Sequence, residues 1–219
     1  MNEGILRSII PQNIGWLEYR LTKIQLNYIW ECIHNNKKES LNSDLAGNLS
    51  SSVVLKDTKD WFYNNCIVDL IAAYRKLFVN LADGVPVRNN QSFYIKDWWV
   101  NYQKQTEFNP IHSHTGVYSF VIFMKIPIDF EEQNKGNESN APVKSSFQFC
   151  YSDMLGKFNT YTYKLKSEDE GLMLFFPSEL NHQVYPFYDC DEERITVAGN
   201  VLIDTDVPQP SFRSLYNSK

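Results

Sequence analysis

Clustered positive charge is missing from this chain of 219 residues. Lys and Arg are scattered, the net charge is −5 and the sequence pI is about 5.4. A protein that grips a phosphate backbone needs a basic patch, so nucleic acid is not the expected main partner. Long apolar runs are missing too. None approaches the roughly 18 residues that a membrane helix needs, and the opening MNEGILRSIIPQ has no charged-then-apolar secretory pattern. The expectation is a soluble, cytoplasmic protein with no membrane partner. Cysteine is sparse: Cys32, Cys66, Cys150 and Cys190 form no C-x-x-C pair, which argues against a zinc or disulfide framework. Cys32 and Cys66 fall within apolar helical patterns, where a thiol serves as a small core residue.

Aromatic residues, by contrast, are plentiful, at 15% of the chain with 13 Tyr and 14 Phe. That composition favours strands, and the length suffices for one domain with a sizeable core. Residues 1–90 read as a helical support region. Thr22 is placed to cap a helix carrying Leu26, Ile29, Trp30 and Ile33 at helical spacing. A polar break follows over Asn35–Ser43. A second helix is expected from near Thr58, with Trp61, Phe62, Cys66, Ile67, Leu70, Ile71, Tyr74, Leu77, Phe78 and Leu81 on one stripe. Asp83-Gly84-Val85-Pro86 ends this half. Residues 91–207 then read as a β core, with strands expected at Ser92–Tyr102, Val117–Ile126, Ser146–Tyr151, Thr160–Lys166, Leu172–Phe176, Gln183–Tyr185 and Arg194–Ile203. Glu131–Asn140 is a polar surface loop, and 208–219 is a tail.

There are only four histidines: His34, His112, His114 and His182. His34 sits at a helix end among polar neighbours and is expected in solvent. His112 and His114 are two apart, so an extended backbone points both imidazoles to one face. His182 follows a strand and Pro177, where a short loop can turn inward to join them. Imidazole suits several metals, and three ligands on one face leave the opposite positions open. Downstream, Arg194-Ile-Thr-Val-Ala-Gly-Asn200 places Arg194, Thr196, Ala198 and Asn200 on one strand face. A guanidinium with a neighbouring hydroxyl can hold a carboxylate; a surface Arg pairing with Asp191, Glu192 or Glu193 is the alternative.

Together these segments resemble the iron(II)/2-oxoglutarate oxygenases, and most of all the marine bacterial and phage members. Gly171-Leu-Met-Leu-Phe-Phe-Pro-Ser-Glu-Leu-Asn-His182-Gln-Val-Tyr-Pro186 followed by Arg194-Ile-Thr matches their C-terminal half. Trp99-Val-Asn101, Asn109-Pro-Ile-His112-Ser-His114 and the stretch Ser119–Pro127 match elements before it. Leu45-Ala-Gly-Asn48 resembles a short N-terminal element. The resemblance implies a double-stranded β-helix (a jelly-roll, cupin-like core) with supporting helices, and Fe(II) held by His112, His114 and His182. It also implies 2-oxoglutarate as cosubstrate, its far carboxylate meeting Arg194 and Thr196. Asn101 would line that pocket, with Tyr102 its competitor if the strand register differs. In such enzymes O₂ converts 2-oxoglutarate to succinate and CO₂ while the prime substrate is usually hydroxylated. The stretch His182–Pro186 resembles that of prolyl hydroxylases, which tilts the expectation towards a peptidyl substrate.

The chain departs from the pattern twice. Relatives usually carry His-x-Asp or His-x-Glu where this chain has His112-Ser-His114, and Glu107 lies outside the expected spacing. Either three histidines bind the iron, or His114 is not a ligand. Phe120 stands where relatives tend to have Gly. Two rival readings remain open: a cupin-like metalloprotein without 2-oxoglutarate, such as a thiol dioxygenase or isomerase, and a non-enzymatic β-sandwich binding module. The first wants a Glu soon after His-x-His, and Thr115-Gly-Val-Tyr118 supplies none.

Overall fold

A computed structural model describes residues 14–36, 46–78 and 92–204. Its core is two facing antiparallel sheets, the double-stranded β-helix expected from the resemblance. The strands are β1 (Leu17–Arg20), β2 (Ser51–Val54), β3 (Phe93–Gln103), β4 (Asn109–His112), β5 (Tyr118–Lys125), β6 (Phe147–Ser152), β7 (Phe158–Tyr163), β8 (Leu172–Pro177), β9 (His182–Val184) and β10 (Arg194–Ile203). The large sheet runs β1-β8-β5-β10-β3-β2 and the small sheet β4-β9-β6-β7.

The large sheet is buried on both faces, so its central strands read as almost unbroken apolar runs. In β5, Tyr118, Phe120, Ile122 and Met124 join one hydrophobic cluster while Val121 and Phe123 join another. The first cluster is shared with the helices α1 (Lys23–His34) and α2 (Val68–Leu77) through Ile29, Ile33, Leu70, Ile71 and Tyr74. The second fills the space between the sheets, where Val121, Phe123, Leu174 and Phe176 meet Phe147 and Phe149. Residue parity along each strand therefore decides which layer a side chain enters.

Thr22 caps α1 as expected, in a reciprocal capping box with Gln25, an arrangement that stabilises a helix by about 1 kcal/mol. The second helical segment begins at Thr58 with a 3₁₀ turn, widens into a π turn over Tyr63–Ile67 and continues as α2. Its Phe62 ring stacks on Trp98 at 5.4 Å. Leu77, counted on the buried stripe, is 66% exposed. Leu81, most of the polar break, the Asp83–Pro86 break and the tail lie outside the described residues.

Two strands were not foreseen in the helical part of the chain, β1 and β2. Both are four residues long and sit at the edges of the large sheet. At that length, alternation gives too few positions to separate a strand from a turn. β4 was likewise considered only as an extended stretch. Within the loop expected at Glu131–Asn140, a one-turn helix α3 (Phe130–Gln133) forms, capped by Asp129. No helix among the described residues is long and apolar enough to cross a membrane.

Candidate metal centre

β4 ends on His112, β9 begins on His182, and the two residues are direct partners across the ladder. His114 lies two residues beyond β4 and enters the same space. Two loops are latched together to put it there. The His114 amide donates to the Ser178 carbonyl at 2.8 Å, and the Ser178 amide donates to the Val117 carbonyl at 3.1 Å. Ser119 Oγ donates to Asn200 Oδ1 at 2.9 Å and so has no proton left; it accepts from Ser178 Oγ, also at 2.9 Å. Gly116 makes the turn between them at φ +119, where a Cβ would press on the Val201 carbonyl.

The potential ligand atoms of His112, His114 and His182 all lie within 4.8 Å of one another. Nε2 of His114 and Nε2 of His182 are 3.1 Å apart. Two ligands about 2.1 Å from one ion and at right angles would be separated by about 3 Å, so this spacing fits a bound metal. Tautomers fit as well. The Nδ1 of His112 lies 2.7 Å from the Pro110 carbonyl and that of His182 lies 2.9 Å from the Leu180 carbonyl. A carbonyl accepts only, so each Nδ1 carries the proton and each Nε2 keeps its lone pair.

Burial keeps these rings neutral. His182, wedged against Phe147, Phe149 and Phe176, is held well below the ordinary histidine range by desolvation, then by the facing His112 and His114. Desolvation, followed by the nearby His112, pushes His114 down to about 4. His112 is lowered by burial against an opposing pull from the Pro110 carbonyl. Neutral imidazole is the form that binds metal.

The histidines open into a cavity of about 180 Å³ that Trp99, Asn101, Asn109, Thr196 and Ala198 also line. Ala46 and Gly47 line it from the other side, which places half of the Leu45–Asn48 element at the site. Asn101 and Thr196 are direct cross-strand partners. Ser52 Oγ donates to Asn101 Oδ1 at 2.7 Å, turning the amide nitrogen towards Thr196 Oγ1, 3.5 Å away. Tyr102 faces the opposite layer, packed on the helix-side cluster.

Arg194 lies on the same strand face as Thr196, one row further along, and is not among the cavity-lining residues. It is 1% exposed. Its Nε and Nη2 donate to Gln103 Oε1 at 3.0 and 2.6 Å, its Nη1 to the Ser145 carbonyl at 2.7 Å and its Nη2 to the Tyr185 carbonyl at 3.1 Å. The surface-pairing alternative therefore fails, because Glu192 pairs with Lys125 instead. Burial pushes the guanidinium down to about 10, and it stays charged at neutral pH. Beside it, the Ser145 hydroxyl is buried without a partner.

Glu107 is not a ligand candidate. Its carboxylate accepts from the Ser50 and Lys104 amides and ties loops together. His34 ends α1, exposed and stacked on Trp30. Sequence reasoning assigned no role to Ser52, Gln103, Ser178 or Asn200. Strand parity from Asn101 would have found Gln103, whereas Ser52 was out of reach while β2 went unrecognised.

Residues 97–200 match the family model described as "Putative 2OG-Fe(II) oxygenase". That stretch, just under half of the chain, is similar to the 2OG-Fe(II) oxygenases. That family implies Fe(II) as metal, 2-oxoglutarate as cosubstrate and O₂ as oxidant, which favours this reading over both rivals. A prolyl hydroxylase from Trichoplax adhaerens, solved with a hypoxia inducible factor oxygen degradation domain peptide, shares the fold. It has TM-score 0.52 at 10% identity, over 86% of this chain and 83% of that one. A Pseudomonas putida prolyl-4-hydroxylase aligns with TM-score 0.43 at 15% identity, over 85% and 91% of the two chains. A collagen prolyl hydroxylase of Paramecium Bursaria Chlorella virus-1 aligns with TM-score 0.45 at 13% identity, over 85% and 94%. No curated protein matches the chain by sequence.

Proposed function

We propose that this protein is a hydroxylase in which His112, His114 and His182 hold Fe(II) through their Nε2 atoms. The observation that carries the reading is the convergence of three neutral rings, two of them with Nδ1 committed to a backbone carbonyl and Nε2 spare. Bound together, Fe(II) and 2-oxoglutarate supply the site at which O₂ is activated and the electrons that activation needs.

The chain's own residues bind and orient. Asn101, fixed by Ser52, offers an amide N–H to the cavity, and Thr196 offers a hydroxyl beside it. These two are suited to receive the far carboxylate of 2-oxoglutarate, with the Arg194 charge behind them stabilising the anion. Phe147 and Phe176 supply the apolar wall that keeps water from the histidine side.

The prime substrate is proposed to be peptidyl, resting on the likeness of His182–Pro186 to the corresponding stretch of prolyl hydroxylases. Anaerobic addition of Fe(II) and then 2-oxoglutarate tests the metal and cosubstrate assignment. A visible charge-transfer band should grow in with both present and be lost in a His182→Ala variant. A folded protein that binds Fe(II) and gives no band would remove the proposed chelate.

A further inference from the structure

In a site of this kind the charge on each group can be followed one by one. The three imidazoles are neutral ligands, so they leave both positive charges of Fe(II) uncompensated. The two carboxylates of 2-oxoglutarate match those charges. The Arg194 guanidinium, whose partners among the described residues are all neutral oxygens (the Gln103 side chain and the Ser145 and Tyr185 carbonyls), then leaves one more positive charge than 2-oxoglutarate supplies negative ones. None of the described residues lining the cavity is acidic. Among the described residues no carboxylate comes within ion-pair distance of His112, His114, His182 or Arg194. Glu107, the acid nearest in sequence to His112, spends both oxygens on loop amides.

A buried, unpaired charge is costly. Arg194 sits one row, roughly 7 Å of strand, from the cavity wall at Thr196, in a region of low effective dielectric. The loaded centre therefore retains one unit of positive charge that no described side chain offsets.

We infer that the prime substrate of this oxygenase presents an anionic group at the metal cavity, which the three-histidine set and Arg194 select. The inference rests on the proposed ligand set. It deepens that reading by naming the charge class of the substrate, which for a peptidyl substrate means an acidic residue close to the reacting carbon. A carboxylate ligand at position 114 would remove the selection. Taking away one charge roughly 6 Å distant, at an effective dielectric of about 20, weakens anion binding by up to about a hundredfold.

The test uses the anaerobic enzyme loaded with Fe(II) and saturating 2-oxoglutarate, in chloride-free buffer. Acetate and its neutral isostere acetamide are titrated separately, and the shift of the charge-transfer band is read. Wild-type enzyme should favour acetate by at least about tenfold, and His114→Asp should cut that preference by about tenfold or more. His114→Glu provides the same comparison if the shorter side chain loses the metal. Equal affinities for the two probes in wild type, or an unchanged preference in the carboxylate variants, overturn the inference alone and leave the metal centre standing. Failure of the wild-type protein to take up Fe(II) overturns the ligand set and this inference together.

Discussion

The two ends of the cavity use their polar atoms in opposite ways. At the histidine end each ring hydrogen bond leaves a nitrogen over: Pro110 and Leu180 take the Nδ1 protons of His112 and His182, and the Nε2 atoms gather at one point. At the arginine end nearly everything is committed, with Gln103, Ser145 and Tyr185 receiving the guanidinium. Spare lone pairs mark where an electron-poor partner binds. Committed acceptors around a buried guanidinium mark where a field is set up without contact. On the proposed reading, one end coordinates and the other polarises.

Removing a ligand should break this contrast most severely. His182→Ala is expected to weaken Fe(II) binding by more than the roughly hundredfold that loss of a merely supporting group causes, measured by anaerobic titration. Wild-type affinity in this variant would mean the rings do not coordinate. Next in size is Arg194→Ala, which orphans Gln103 Oε1 and two carbonyls. Folding stability should fall by about 3 kcal/mol and the 2-oxoglutarate requirement should rise about tenfold or more, while Fe(II) affinity stays nearly intact. A denaturant series and separate metal and cosubstrate titrations check this. Equal loss of both affinities would make Arg194 a structural residue only.

Acid should expose the histidine end selectively. Burial lowers all three rings from their unfolded value near 6.5, His114 to about 4. Between those values the unfolded chain binds more protons than the folded one, so stability present above pH 6.5 is lost as pH falls towards 4. Metal-free protein should lose about 5 °C in Tm between pH 7 and pH 5, and His114→Phe should flatten that slope. Metal affinity, which for freely exposed imidazoles would weaken below about pH 6, should instead hold until near pH 5, because protons compete poorly for buried rings. The smallest effect belongs to the latch. Ser178→Ala removes one hydroxyl bond to Ser119 and should cost about 1 kcal/mol while speeding metal release a few-fold. A chelator-chase measurement with no change would show that backbone bonds alone hold the loops.

What could be read in the sequence followed from parity. His112 with His114, Trp99 with Asn101, and Arg194 with Thr196 each share a face because alternate strand residues must, and each pair does so in the fold. Contacts between segments distant in sequence left no such trace. Ser52 reaches Asn101 from an edge strand too short to announce itself, and the Ser145 carbonyl meets Arg194 from a loop. Parity also placed Arg194 on the cavity face correctly, yet could not say that Gln103 would hold it one row back.

Phe120 is paired across the ladder with Gly199. A Cβ on Gly199 would lie 2.5 Å from the Phe120 ring and 2.8 Å from Trp98 Cβ. The volume missing from one strand is the volume present on its neighbour. These two positions thus form a single packing unit that tolerates exchange only in concert. A lone alanine at 199 overfills the layer beneath α2, a lone glycine at 120 empties it, and lineages that changed one position should have changed the other.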